Sequence, residues 1–374
     1  MKVIVALDSF KGCLTSYEAG NAVKEGILNA NRNIDVIVKP LADGGEGSLD
    51  AMLCDKRIEK KLIVTKDPLG RDIETYYGIK NNTAIIEMAK TCGLELLKHE
   101  ELNPMNTSTY GLGQMIEDAV TIGIKKFVIF IGGSATNDCG TGMLKALGYR
   151  FLDKDNKEVP ESGGHLNKIK YIDESNVIKG LNKCIFNVAC DVNNPLLGSN
   201  GASYIYAPQK GADDIMVRTL EHNLNCFADI VSKKYNIDHR NKKGAGAAGG
   251  LGFGLMSFLN AKLRRGIDII FQSLNFDNEL VNADYLITGE GKFDEQSLMG
   301  KAPISICKLA KEHNNNVKTI ILAGSVDDKE IKSEFVDGYF SIINKPMDLS
   351  NLMKKEIAKN NLYITSLQLF RLLI

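Results

Sequence analysis

Five segments gather acidic, hydroxyl or amide side chains; glycine joins them in four and lysine in two. They are Asp8-Ser9-Phe10-Lys11-Gly12, Ala42-Asp43-Gly44-Gly45-Glu46-Gly47, residues 132–138 (with Ser134, Thr136 and Asn137), residues 189–195 (with Asp191) and residues 288–294 (with Gly289, Glu290, Lys292 and Asp294). Glycine lets backbone N–H groups approach a phosphate, and a following helix N-terminus favours anions. Carboxylates in the same crevice repel phosphate unless a divalent cation intervenes, so their abundance argues for Mg²⁺. Taken singly, each segment reads as an ordinary capped turn. Five in one chain, with lysine among carboxylates, point to phosphoryl transfer.

Other chemistries fail on spacing. The chain has no GxxxxGK[ST] phosphate loop, and the HRD and DFG strings of protein kinases are missing. Residues 244–249 match GxGxxG but follow a polar stretch, 236–243, that makes a poor strand, whereas the dinucleotide fingerprint needs a strand first. Close backbone packing explains that tract as well as phosphate contact does. Ser134 lacks the GxSxG setting of a nucleophile elbow. The five histidines share no ligand spacing, and the eight cysteines form no CxxC pair, so neither a zinc site nor a disulfide framework is indicated. Free thiols suit a reducing cytoplasm. Lys+Arg and Asp+Glu both total 46, a balance that argues against nucleic acid or an anionic membrane as partner and for a small ligand.

The elements that must position these residues alternate. The apolar run 3–7 reads as a strand buried on both faces and is too short for a signal peptide or membrane span. Thr15 with Glu18 forms a capping box opening a helix through Ile27, and 34–38 is a second strand, followed by a helix through Leu49 and Met52. Residues 73–79 and 84–87, joined at Asn81-Asn82, alternate as antiparallel strands do. Strands follow at 127–131 and 184–189, a helix at 213–235, and a small-residue tract at 244–254 leading to a helix through Leu263. The α/β rhythm resumes with strand 285–288, helix 304–311, strands 319–323 and 339–343, and a closing amphipathic helix at 362–374. At 374 residues two domains are expected. The texture assigns 1–64 and 280–374 to one discontinuous α/β domain and 65–279 to a second α/β domain inserted within it.

Taken in order, eight strings resemble the bacterial glycerate kinase family of the two-domain type without a phosphate loop. They are ALDSFKGCLTSYEA at 6–19, PLADGGEGS at 40–48, NTSTYGLG at 106–113, GGSATNDCGTGMLKALG at 132–148, ACDVNNPLLGSNGAS at 189–203, YAPQKGA at 206–212, GAGAAGGLGFGL at 244–255 and TGEGKFDEQSLMGKAP at 288–303. The resemblance spans essentially the whole chain. It implies an ATP- and Mg²⁺-dependent kinase acting on D-glycerate, with 2-phosphoglycerate the favoured product, built as a flavodoxin-like parallel-sheet domain carrying a second α/β domain. Two positions depart: Cys139 stands where the family usually has glycine, and Lys292 where it often has arginine, whose bidentate fork lysine lacks.

A glycerate kinase must hold a carboxylate, deprotonate a hydroxyl and neutralise the γ-phosphate. Asp191, which directly follows a strand, is the expected base, with Lys11 and Asp43 beside it in catalysis. Asp8, Ser9, Gly44, Gly45, Ser134, Thr136, Asn137, Gly289 and Lys292 are expected to bind substrate or phosphate. Glu290 and Asp294 are expected metal ligands, and Asp43, Asp191 and Asp294 can exchange roles. Two alternatives stand beside this: a kinase or NAD-dependent dehydrogenase for another small hydroxy acid, and a sugar-acid sensor without turnover. Oligomeric state is open, a homo-oligomer included.

Overall fold

The computed structural model describes residues 1–374 other than 43, 46, 296, 300 and 328–331. Thirteen strands are defined among the described residues: β1 Lys2–Leu7, β2 Asp35–Val38, β3 Glu59–Lys66, β4 Asp72–Lys80, β5 Thr83–Glu87, β6 Lys126–Phe130, β7 Arg150–Leu152, β8 Tyr171–Asp173, β9 Ile185–Ala189, β10 Lys262–Arg264, β11 Tyr285–Phe293, β12 Lys318–Val326 and β13 Gly338–Ser341. The chain divides into two compact units. One comprises Met1–Asp43, Asp50–Lys56 and Ile267–Ile374; the other comprises Gly44–Leu49 and Arg57–Gly266.

The first unit is built on a parallel sheet in the order β13-β12-β11-β1-β2. Numbered along this unit alone, the order is 2-1-3-4-5 read from the β2 edge, the flavodoxin-like arrangement with its switch point between β1 and its neighbour β11. β1 takes the centre because Val3, Ile4, Val5, Ala6 and Leu7 are all fully buried, as a strand covered on both faces requires. The helix Ser16–Ala30 starts where the capping box predicts: Glu18 N donates to Thr15 Oγ1, and Thr15 N donates to Glu18 Oε2, both at 3.2 Å. Val23 and Ile27 of that helix join Leu362 and Phe370 of the closing helix Lys355–Leu373 in one core with β1. The segment expected as a loop after residue 288 is strand instead. β11 continues to Phe293, pairing Glu290 with Ala323 and Lys292 with Ser325 of β12, because the parallel ladder there stays in register to its end.

The second unit carries a mixed sheet, β10-β9-β6-β5-β4-β3, in which β5, β6, β9 and β10 run parallel and β4 is antiparallel to both neighbours. Asn81 and Asn82 both hold positive φ (45° and 60°), as a tight hairpin link demands. β7 and β8 form a separate antiparallel pair. The helix expected to run through Leu263 ends at Leu259: Asn260 turns left-handed at φ 50°, and Lys262–Arg264 becomes the edge strand β10. Within Ala247–Leu259, residues Ala248, Gly249 and Gly250 have φ of 51°, 65° and 85°, a left-handed turn inside a right-handed helix. A Cβ at Gly249 would lie 2.0 Å from the Thr136 carbonyl oxygen, so the small-residue tract exists to lay backbone on backbone.

Candidate functional site

In the first unit the carboxyl ends of β1, β11, β12 and β13 open into a cavity of about 540 Å³, at the switch point where open parallel sheets take ligands. Asp8, Ser9 and Lys11 come to it from β1, Glu290 and Lys292 from β11, and Lys301 from the start of the helix Ala302–His313. Ile342, Leu349, Leu352 and Met353 contribute apolar surface to its lining. Asp8 is pinned to the sheet by its backbone N–H donating to Gly289 O at 2.9 Å, and its Oδ1 accepts from Ser9 N at 2.6 Å. Lys301 Nζ lies 3.6 Å from Glu290 Oε2 and 3.9 Å from Asp294 Oδ1, and Lys292 Nζ lies 3.1 Å from Asp294 Oδ2.

The two carboxylates differ in electrostatics. Burial pushes the Glu290 carboxyl above its ordinary range, against the pull of Ser297 and Lys301. The hydrogen bond from Lys292 holds Asp294 below its own. Glu290 Oε1 is buried and has no partner among the described residues. A buried carboxylate oxygen without a donor is costly, and a cation or a proton at this oxygen would relieve that cost.

In the second unit the loops after β6 and β9 carry the other expected residues. Ser134, Thr136 and Asn137 are buried at the end of β6. Asp191, exposed after β9, accepts the Gly266 N–H on both carboxylate oxygens, at 3.1 and 3.3 Å. Gly44, at φ 93°, lies against it: a Cβ there would sit 2.9 Å from Asp191 Oδ2 and 2.9 Å from Gly266 Cα. Gly45 packs on Gly132, whose added Cβ would meet its Cα at 2.7 Å. Glu87, buried at the end of β5, holds this glycine-rich segment by accepting from Gly47 N at 3.1 Å and Leu49 N at 2.9 Å. Asp43 lies outside the described residues.

The loop after β6 is anchored by Asp138, fully buried, which accepts from Thr109 N, Thr109 Oγ1, Gly140 N and Gly142 N at 2.7–3.1 Å. Next to it Cys139 holds φ 55°, the left-handed region where glycine carries no strain, and its N–H donates to Gly249 O at 3.1 Å. Lys210 is buried against the same loop.

A family model for the glycerate kinase family matches residues 3–374. The chain belongs to the glycerate kinase family. It is 38% identical to a glycerate kinase of Halalkalibacterium halodurans, over 97% of this chain and 98% of that protein. It is 39% identical to a protein of Escherichia coli named glycerate 2-kinase, over 92% of this chain and 91% of that one. A Salmonella typhimurium LT2 protein assigned as glycerate kinase 2 has a crystal structure that superposes with a TM-score of 0.89 at 36% identity, covering 100% of this chain and 98% of that one. The chain is accordingly an enzyme, a glycerate kinase.

Sequence reasoning assigned no role to Lys301, Glu87, Asp138 or Lys210. Asp138 closes the segment 132–138, and Lys301 and Lys210 lie within the strings at 288–303 and 206–212; Glu87 carried no such signal. Among the described residues no group of three or more His, Cys, Asp or Glu side chains forms a metal cluster, and no helix is long and apolar enough to cross a membrane. All eight cysteines are free.

Proposed function

We propose that this glycerate kinase transfers the γ-phosphoryl group of ATP to the 2-hydroxyl of D-glycerate with Mg²⁺. The observation that carries the reading is the first unit's cavity. At about 540 Å³ it is far roomier than a three-carbon acid needs. Its apolar lining suits a flat purine base, and Lys11, Lys292 and Lys301 in the same lining suit a polyphosphate. Glu290 and Asp294 would hold the ion, since Glu290 Oε1, buried and without a partner among the described residues, is a hard oxygen donor of the kind Mg²⁺ selects. Once bound, the ion offsets charge on the β- and γ-phosphates.

The acid falls to the second unit's loops in this reading. Ser134, Thr136 and Asn137 offer hydroxyl and amide donors for its carboxylate. Asp191 accepts the hydroxyl proton, its carboxylate oriented by the Gly266 N–H. Gly44 leaves room beside Asp191 that any side chain would fill. The 2-position rests on the name of the Escherichia coli relative. Eight free thiols suit work in a reducing cytoplasm.

The test is phosphorus NMR of the product formed from ATP, Mg²⁺ and D-glycerate. The expected result is ADP and 2-phosphoglycerate. Turnover of other hydroxy acids with none of glycerate would overturn the substrate, and a 3-phosphoglycerate product would overturn the position.

A further inference from the structure

Lys210 ends the short turn Pro208–Lys210, between the helices Ala202–Tyr206 and Asp214–Tyr235, and only 1% of it is exposed. A lysine buried to that degree needs acceptors for its ammonium. It has two: Nζ donates to Ser134 Oγ and to the Thr136 carbonyl oxygen, each at 2.7 Å. Both belong to the loop that closes β6. Asp138 is the charged group that acts on Lys210 among the described residues, yet its carboxylate is taken up by Thr109, Gly140 and Gly142, and no ion pair joins the two.

An ammonium can donate but not accept. Ser134 Oγ therefore accepts a hydrogen bond from Lys210 and must point its own O–H elsewhere. That O–H has no acceptor among the described residues. Thr136 Oγ1 and both polar atoms of the Asn137 side chain are likewise buried without a partner. The loop holds unspent hydroxyl and amide donors with the Lys210 ammonium behind them. That is the composition of an anion receptor.

We propose that Lys210 is the positioning residue of this loop: it fixes the Ser134 hydroxyl as a hydrogen-bond donor and supplies the positive charge with which the loop holds the substrate carboxylate. The inference rests on the reading of the chain as a kinase for glycerate. It carries a signature in pH. Burial pulls the Lys210 ammonium down to about 7, with Asp138 opposing. Above that pH the amine is neutral and becomes an acceptor, so the Ser134 hydroxyl turns inward and the charge is lost. Bound carboxylate favours the ammonium, so binding above neutrality takes up a proton.

The test is calorimetric titration of the full chain with D-glycerate at pH 6 and pH 8, with and without a non-hydrolysable ATP analogue, in buffers of different ionisation enthalpy. The expected result is affinity up to about tenfold weaker at pH 8, with uptake of up to about one proton per site. Lys210→Met should bind weakly at both pH values with no proton uptake. Lys210→Arg, whose guanidinium stays charged, should restore binding and flatten its pH dependence. Ser134→Ala should weaken binding at both pH values and leave little further loss for Lys210→Met, because both remove one coupled unit. Should Lys210→Met fail to fold, Ser134→Ala and the wild-type proton count decide alone. ADP formation from glycerate combined with pH-independent affinity and no proton uptake would overturn the role of Lys210 and leave the kinase reading intact. Absence of glycerate binding at either pH would overturn the substrate and this inference together.

Discussion

Replacing Asp191 by asparagine separates chemistry from structure at one position. The carboxylate accepts the Gly266 N–H at 3.1 and 3.3 Å from an exposed site. The amide oxygen of asparagine can go on accepting that N–H, so at the Gly266 contact folding loses only part of one solvent-accessible hydrogen bond, about 1 kcal/mol or less. In a chain of this size that is a shift in Tm of roughly 2–4 °C at most. An amide cannot accept the substrate proton, and losing general-base assistance costs about 10²–10⁴ in rate, which is roughly 3–5 kcal/mol of barrier. The chemical effect therefore exceeds the structural one severalfold. A coupled assay of ADP release gives kcat and KM for each substrate, and scanning calorimetry gives Tm. The expected result is a collapse of kcat with KM for both substrates near normal and Tm nearly unmoved. A variant that loses Tm but keeps kcat within about threefold would show that Asp191 only caps the Gly266 turn, and the base would have to be sought elsewhere.

Gly44→Ala should lower both Tm and kcat: φ of 93° costs a non-glycine residue about 1–2 kcal/mol, and the new Cβ would displace Asp191 Oδ2 from 2.9 Å. Kinetics and calorimetry on the same preparation check it; an unaltered kcat would uncouple Gly44 from Asp191. Asp294→Asn should raise the Mg²⁺ concentration needed for half-maximal rate and be partly rescued by excess Mg²⁺, as a magnesium titration of activity will show. Lys210 also predicts how stability varies with pH. Its ammonium is pulled from 10.5 to about 7 by folding, so between those values the unfolded chain holds more protons and stability rises with pH. Urea unfolding of wild type and Lys210→Met at pH 7 and pH 9 should show the wild type gaining roughly 2 kcal/mol on the variant over that interval. A difference that stays constant would remove the buried ammonium.

Elements whose signal is local were legible in the sequence. The run Val3 to Leu7 could only be a doubly covered strand, and Thr15 with Glu18 fixed a helix start to the residue. Elements made by tertiary context were not. β3 is an edge strand with Leu62 and Val64 exposed and Lys60, Lys61 and Lys66 interrupting its pattern, so no buried face advertises it. β10 has three residues, too few for any period, and exists because β9 offers it an edge. Gly289 to Lys292 read as loop because glycine and charge dominate there, whereas pairing to β12 keeps them in a strand. The candidate site divides in the same way. Glycine-rich loops announce themselves by composition, but Lys210 sits in Tyr206–Ala212, where proline, glutamine, lysine and glycine in succession look like a surface turn. Its burial comes from the loop after β6 folding over it, a contact 74–76 residues distant in the chain.

The position of β1 in its sheet bears on how the nascent chain matures. β1 pairs with β2 on one side and with β11 on the other. β2 ends at Val38 and β11 begins at Tyr285. At a synthesis rate of about 5–20 residues per second, that interval lasts on the order of tens of seconds. Throughout it, five fully apolar residues of β1 wait with one unpaired edge while Arg57–Gly266 emerges with every strand its own sheet requires. The ribosome thus releases a finished unit ahead of an unfinished one. The amino-terminal segment, although made first, is completed last, and its exposed strand edge in that interval is where chaperones would be needed and where aggregation would start.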